Sequence, residues 1–269
     1  GASVTVNNIS GNTKAYITGD DTEVTALAKD DEDKLTVNTG KLSDEVDMGE
    51  GLDIEKYGRT DLASLRETEE ITGVAVNSSA THSLENISVN IAGGQYAGVA
   101  GTTNTSVISG NTEAFIDSAD VNPGGSALTN GTDGLSQSIS VKASDHAYNN
   151  GFIGNVAGGA AGVGLGVDTN VFKNTTRAYI ENSDEIRANN KTDIDAVSTQ
   201  GVSSLVVGGA GGAVGIVGSG TVDTFKSVTE ANIKNTEIDT GDLKINALHT
   251  SSLFTAAGGV AVGGTAFAG

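Results

Sequence analysis

The sequence predicts an all-β chain, a parallel β-solenoid made of degenerate copies of one unit and carrying one short helical insertion. Three observations point there. A hexapeptide recurs as NTKAYI from Asn12, NTEAFI from Asn111, TTRAYI from Thr175 and VTEANI from Val228, so its copies start 99, 64 and 53 residues apart; self-similarity at intervals of this size marks a repeat architecture. Gly-rich runs precede the later copies (IAGGQYAGVAG, NVAGGAAGVGLGV, VVGGAGGAVGIVG), and a further run, AAGGVAVGGTAFAG, closes the chain. Finally, 38 Gly against 1 Pro, 4% aromatic residues and no Trp leave no material for a core of large side chains. Burial has to come from small Val, Ile and Ala contacts repeated along a regular backbone.

Taken in order, the first unit spans 1–101. Its alternating apolar positions, Val4 and Val6, Ala15 and Ile17, Val24 and Ala26, Leu35 and Val37, read as half-buried strands. Between 41 and 73 the alternation gives way to an acidic stretch in which Leu62 and Leu65 follow a Thr60 or Asp61 cap; this is the helical insertion, expected on the outside of the sheet. Alternation resumes at Val74 and Val76. The second unit, 101–164, has Ala114 and Ile116, then a loop around Pro123, where a strand ladder could not use a proline, then Ile139, Val141 and Ala143. Unit 164–218 is the plainest, with Ala178 and Ile180, Ile186 and Ala188, and Ile194 and Ala196 at steps of eight, and unit 218–269 repeats it with Ala231 and Ile233, Ile238, then Leu243, Ile245 and Ala247. Such steps suggest coils of about 24 residues rising about 4.8 Å each, hence a rod of roughly ten coils and 50 Å. They leave no room for βαβ crossover helices, and an antiparallel meander stays open as the alternative, because such corners also serve hairpins. The Gly-rich runs are apolar on both alternation phases, which predicts burial on both faces.

A formal charge of −19 argues against nucleic acid and against anionic membranes as partners, because both require a cationic face. Zero Cys removes disulfides, thiolate metal sites and cysteine nucleophiles together. The apolar runs are broken by Gly and Ser short of a membrane helix, so no membrane insertion is expected. Aromatic girdles of an outer-membrane barrel are missing as well.

The stretch GGAAGVGLGVDTNVFKNTTRAYIENSDEIRA, and the looser copies around it, resembles the passenger repeats of large bacterial filamentous adhesins, including leukotoxin-like filamentous adhesins secreted by autotransporter or two-partner routes. That resemblance implies a right-handed parallel β-helix on the bacterial cell surface, without cofactor or active site. It implies as partners the glycans or proteins of host or neighbouring cells.

Candidate chemistry is sparse. His82, His146 and His249 are scattered, and only Asp145 adjoins one of them, so no catalytic residues are assigned. The region from Asp20 to Gly73 holds 17 of the 34 acids and 6 of the 15 basic residues. Within it, Asp30, Asp31, Glu32 and Asp33 offer oxygen ligands to calcium, but without the spacing of an EF-hand or a calcium β-roll; a solvated loop is the plainer reading. Asn-x-Ser/Thr sequons start at Asn8, Asn77, Asn86, Asn104, Asn130, Asn174 and Asn190, and Asn ladders account for them without sugar. The expected function is a non-enzymatic surface adhesin or stalk segment. The alternatives are a carbohydrate-active enzyme on the same scaffold and a subunit that self-associates head-to-tail, since the final Gly-rich run written before GASVTVNNISGNTKAYI restores the order of the repeat.

Overall fold

The four hexapeptide copies lie directly on top of one another. In the computed structural model, which describes residues 1–26, 34–42, 66–125 and 137–269, Asn12 pairs with Asn111, Asn111 with Thr175 and Thr175 with Val228. The strands in chain order are β1 (Ala2–Val24), β2 (Leu35–Leu42), β3 (Arg66–Ile71), β4 (Gly73–Gly93), β5 (Ala97–Val121), β6 (Ser138–Gly158), β7 (Ala161–Glu181), β8 (Ile186–Gly211), β9 (Val214–Phe225), β10 (Val228–Lys234), β11 (Ile238–Val262) and β12 (Thr265–Ala268). All but β2 and β3 join one 10-stranded sheet, and every pairing within it is parallel. The chain is a parallel β-helix.

Each coil is a long strand out and a long strand back. One wall stacks β1, β5, β7, then β9 with β10, while β12 begins a further layer. The opposite wall stacks β4, β6, β8 and β11. A coil therefore takes the whole repeat interval rather than about 24 residues. Four stacked coils rise about 19 Å at the usual strand spacing, which corrects the expected rod of ten. The eight-residue steps are real, but they mark bends within one coil, at Asn182 and near Asn190 for example, and not its return.

The core divides along the length of the coil. At the bent end, Ala114, Ile116, Ile139, Val141, Ile180 and Ile194 belong to the main apolar cluster. Further along, Ile108, Ala147, Phe172 and Val202 form a second one. Beyond that, at the Gly-rich end, the walls come together backbone to backbone. A Cβ on Gly162 would lie 2.8 Å from the Gly211 carbonyl oxygen and 3.0 Å from that of Ala157, so only glycine permits the approach.

Two further expectations change. Leu35 and Val37 do not belong to a coil: β2 pairs antiparallel with β3, and this hairpin lies against β4, β6 and β8. It covers the outer face of the second wall, which is why β6 is buried on both alternation phases over Ser138–Asn150. The Gly-rich runs, conversely, are buried on one face only. Val206 is 0% exposed, whereas its neighbours Leu205 and Val207 are 40% and 39% exposed. The opposite wall covers the inner face, and no described element covers the outer one. The predicted helix around Leu62 and Leu65 lies outside the described residues; the flanks of that insertion, Lys41 to Leu42 and Arg66 to Ile71, are strand. Pro123 sits where expected, in a short 3-10 turn just past β5.

Candidate functional site

Stacking in register turns each outward position of the repeat into a column along the coil axis. On the first wall the third residue of the hexapeptide gives Lys14, Glu113, Arg177 and Glu230, one above the next. Lys14 Nζ lies 2.5 Å from Glu113 Oε2, and Arg177 Nε lies 2.9 Å from Glu230 Oε2. Burial works against the Glu113 charge, but hydrogen bonds from Lys14 and Asn111 and the positive charges of Lys14 and Arg177 outweigh it. Its carboxyl is held below the usual range. Two residues on, Tyr16, Phe115 and Tyr179 stack ring on ring, with centroids 5.1 and 4.8 Å apart. These outward columns are the most regular surface of the molecule. The alternation Lys, Glu, Arg, Glu was readable in the four hexapeptides and is the signal that pattern reading by apolar positions alone passes over.

Corners repeat in the same way. Ser118, Asn182 and Asn235 take left-handed backbone conformations (φ 57°, 55° and 48°), which Asn tolerates better than most residues. Asn235 Nδ2 donates to Asn182 Oδ1 and Asn182 Nδ2 to Asp117 Oδ1, at 3.2 and 2.9 Å. The next corner is held by Asn122, whose side-chain oxygen accepts from the Ala26 amide at 2.8 Å and whose nitrogen donates to the Arg187 carbonyl at 3.0 Å, tying three coils together. Beside the first corner a polar cleft of about 220 Å³ is lined by Asp20, Ser118, Asp120, Asn182 and Asp184. Asp120 Oδ1 accepts the backbone amides of Asp184 and Glu185, both at 2.9 Å, so this carboxylate caps a turn.

Inside, between the walls, a chain of amides replaces apolar packing. Asn86 donates to Ser106 and Asn149, each at 2.9 Å, and Asn104 donates to Asp168 at 2.7 Å. Asn170 donates to Asp168 and, at 2.8 Å, to Asp223. Burial and the Asp168 charge raise the Asp223 carboxyl, against the hydrogen bond from Asn170. Asn86, Asn104 and Asn174 are buried, so three of the seven sequons are interior structural residues.

The histidines do not converge. His82 Nε2 is 3.5 Å from Asp145 Oδ2 inside the coil, where Asp145 also accepts from Asn174 at 2.5 Å and Thr112 at 3.2 Å. His146 points the other way and is fully buried; burial first, and the Arg66 charge second, pull it down to about 4 against the Asp145 charge. His249 Nε2 lies 2.8 Å from the Ser251 hydroxyl, far along the chain from both. On the outer face of the second wall, Lys142 bonds Glu69 of the hairpin and sits 3.4 Å from Asp193 and 3.6 Å from Asp195, while Lys244 reaches Asp195 at 2.8 Å and Asp193 at 3.2 Å. Burial opposes the charge on Glu69, and the Lys142 and Lys191 charges overcome it, lowering its carboxyl. The four calcium candidates, Asp30, Asp31, Glu32 and Asp33, lie outside the described residues. Among the described residues no His, Asp and Glu side chains gather in a metal-binding group, and no helix is long and apolar enough to cross a membrane.

No protein-family model, curated protein or solved structure matches this chain.

Proposed function

We propose that this chain is a non-enzymatic display or stalk segment of a secreted bacterial filamentous surface protein, an adhesin scaffold whose partners are the glycans or proteins of host or neighbouring cells. The observation that supports it is the outward columns. A scaffold that repeats Lys14, Glu113, Arg177 and Glu230, and beside them Tyr16, Phe115 and Tyr179, at one coil spacing presents the same kinds of group at a fixed pitch. Weak contacts repeated at a fixed pitch add up through multivalency. The reading places the chain outside the cell and gives its carboxylates structural work, as Asp120 and Asp145 do. The test is a glycan array probed with purified protein, run alongside binding to intact epithelial and bacterial cells. Saturable binding that falls when Tyr16 and Tyr179 are replaced by Ala supports the reading; turnover of an arrayed polysaccharide overturns it in favour of a carbohydrate-active enzyme.

A further inference from the structure

The outer face of the first wall is apolar at the Gly-rich end, and no described element covers it. Outward positions alternate along β5 from Ala97 to Val107, and register stacking repeats them in β7 and β9, with β12 or β1 adding a fourth layer. Val6, Val99, Leu165, Val167, Ile216 and Val222 stand on this face, 40% to 69% exposed. A parallel sheet with an apolar outer face is ordinarily covered on both sides.

Size sets this face apart from scattered exposed side chains. From Ala97 to Val107 at about 3.3 Å per residue, and across four layers at about 4.8 Å, its footprint is about 36 by 19 Å, or about 700 Å². Patches on monomers rarely exceed about 600 Å². Two such faces together bury about 1,400 Å², inside the range of about 1,200–2,000 Å² for stable interfaces. The apolar part of the second wall, from Ile87 to Gly93, offers only about 450 Å² by the same reckoning.

Relief and charge both select the occupant. Leu165 pairs with Gly101, and Val167 with Gly220. A Cβ added to either glycine would meet nothing within 4 Å, so the chain's own packing does not call for glycine there. Each leaves a notch beside an aliphatic side chain, the relief that lets two pleated faces interdigitate about 10 Å apart. Copies of a chain at −19 repel one another, but no outward position from Ala97 to Val107, or in register with them, is charged. Two copies can meet here without setting like charges together.

We propose that a second copy of this chain docks face to face on the outer wall of β5, β7 and β9, sheet on sheet. The contact is isologous, the same patch on both copies, so it closes at a dimer. The columns of Glu113 and Phe115 lie further along the strand and stay open. The dimer does not rest on the adhesin reading, and failure of glycan binding leaves it untouched.

The chain has no cysteine, so one introduced thiol reports on one position. Sedimentation across a hundredfold range of concentration should show a mass that rises from one chain to two and stops. Over the same range Thr103→Cys, near the centre of the face, should react with a maleimide several-fold more slowly at the concentrated end. Val207→Cys, on the second wall, should keep its rate. Leu165→Asp sets two carboxylates across the joint and should weaken association roughly a hundredfold. Its side chain points outward, so its far-ultraviolet circular dichroism should match wild type; if that variant unfolds, thiol protection decides alone. A monomer at every concentration overturns the proposal, and a monomer that binds phosphatidylcholine vesicles overturns it in favour of lipid on this face. Association that protects Val207→Cys instead, or neither thiol, overturns it as well.

Discussion

Neighbouring residues in this fold have opposite fates, and the hydrophobic scale does not distinguish them. Val206 and Val207 are adjacent valines in one strand, yet the first packs against the opposite wall, where a Cβ on Gly166 would lie 2.8 Å from its Cγ1, and the second faces outward. Val206→Thr buries a hydroxyl with no assured partner and should cost about 1–3 kcal/mol, whereas Val207→Thr should stay within about 0.5 kcal/mol; urea denaturation of the pair measures both. Equal losses would mean that both faces are core after all. His146 supplies the other residue-scale test. Its folded pKa is depressed to about 4 from 6.5, so the unfolded chain takes up its proton first as pH falls. The stability held by neutral His146 is complete above about pH 6.5 and lost as pH drops toward about 4, amounting to about 3 kcal/mol. Glu69 and Glu113, with lowered carboxyls, also lose stability in acid, so the informative quantity is the difference between wild type and His146→Gln. That difference should be flat above neutrality and narrow steadily below it.

At the scale of elements, the β2–β3 hairpin is the part that the sequence did not reveal. Leu35 and Val37 alternate like any coil strand, and nothing local says that their partners are Glu69 and Ile71, which sit across an acidic insertion. Strand pattern was legible because period-two alternation is local, and the hexapeptide stacking because identical residues recur. The antiparallel partner and the face it covers depend on long-range packing. The same limit explains the coil length: bends every eight residues look alike whether they close a coil or only crease it. Of the candidate site, the charge ladder could have been read from the third hexapeptide position, while the Lys142 cluster could not, since Glu69, Lys142 and Asp193 share no motif. This cluster fastens the hairpin to the wall. Lys142→Met leaves Asp193 and Asp195 buried beside one fewer cation and should cost about 3–5 kcal/mol, with faster amide exchange in β2 and β3 before the rest. Lys244 has a side chain more than half exposed, so Lys244→Met should cost under about 1 kcal/mol. Exchange in the hairpin that is indifferent to Lys142 would show that other contacts hold it.

The whole molecule is segregated along its coils. No charged residue occurs from Asn86 to Thr112, from Ala147 to Val167 or from Ala196 to Val222, so the Gly-rich half carries none of the −19, and the bent half carries the ladders, corners and hairpin that fix register. Register specified at one end is transmitted to the other by strands more than 20 residues long, such as β5 and β7. Stability in such a stack is a sum over neighbouring coils, because each coil touches only those above and below. Removing residues 212–269, the last coil, should therefore strip one interface and expose β7 and β8 as the new edge. Hydrogen exchange should show amides of β7 and β8 accelerated while those of β4 and β6, away from the cut edge, keep their rates. A core shared by all coils would behave differently, with protection falling everywhere at once. The continuous column from Ile17 through Ile116 and Ile180 to Ile233 argues for the local response, since every contact in it is made by the coil directly above or below.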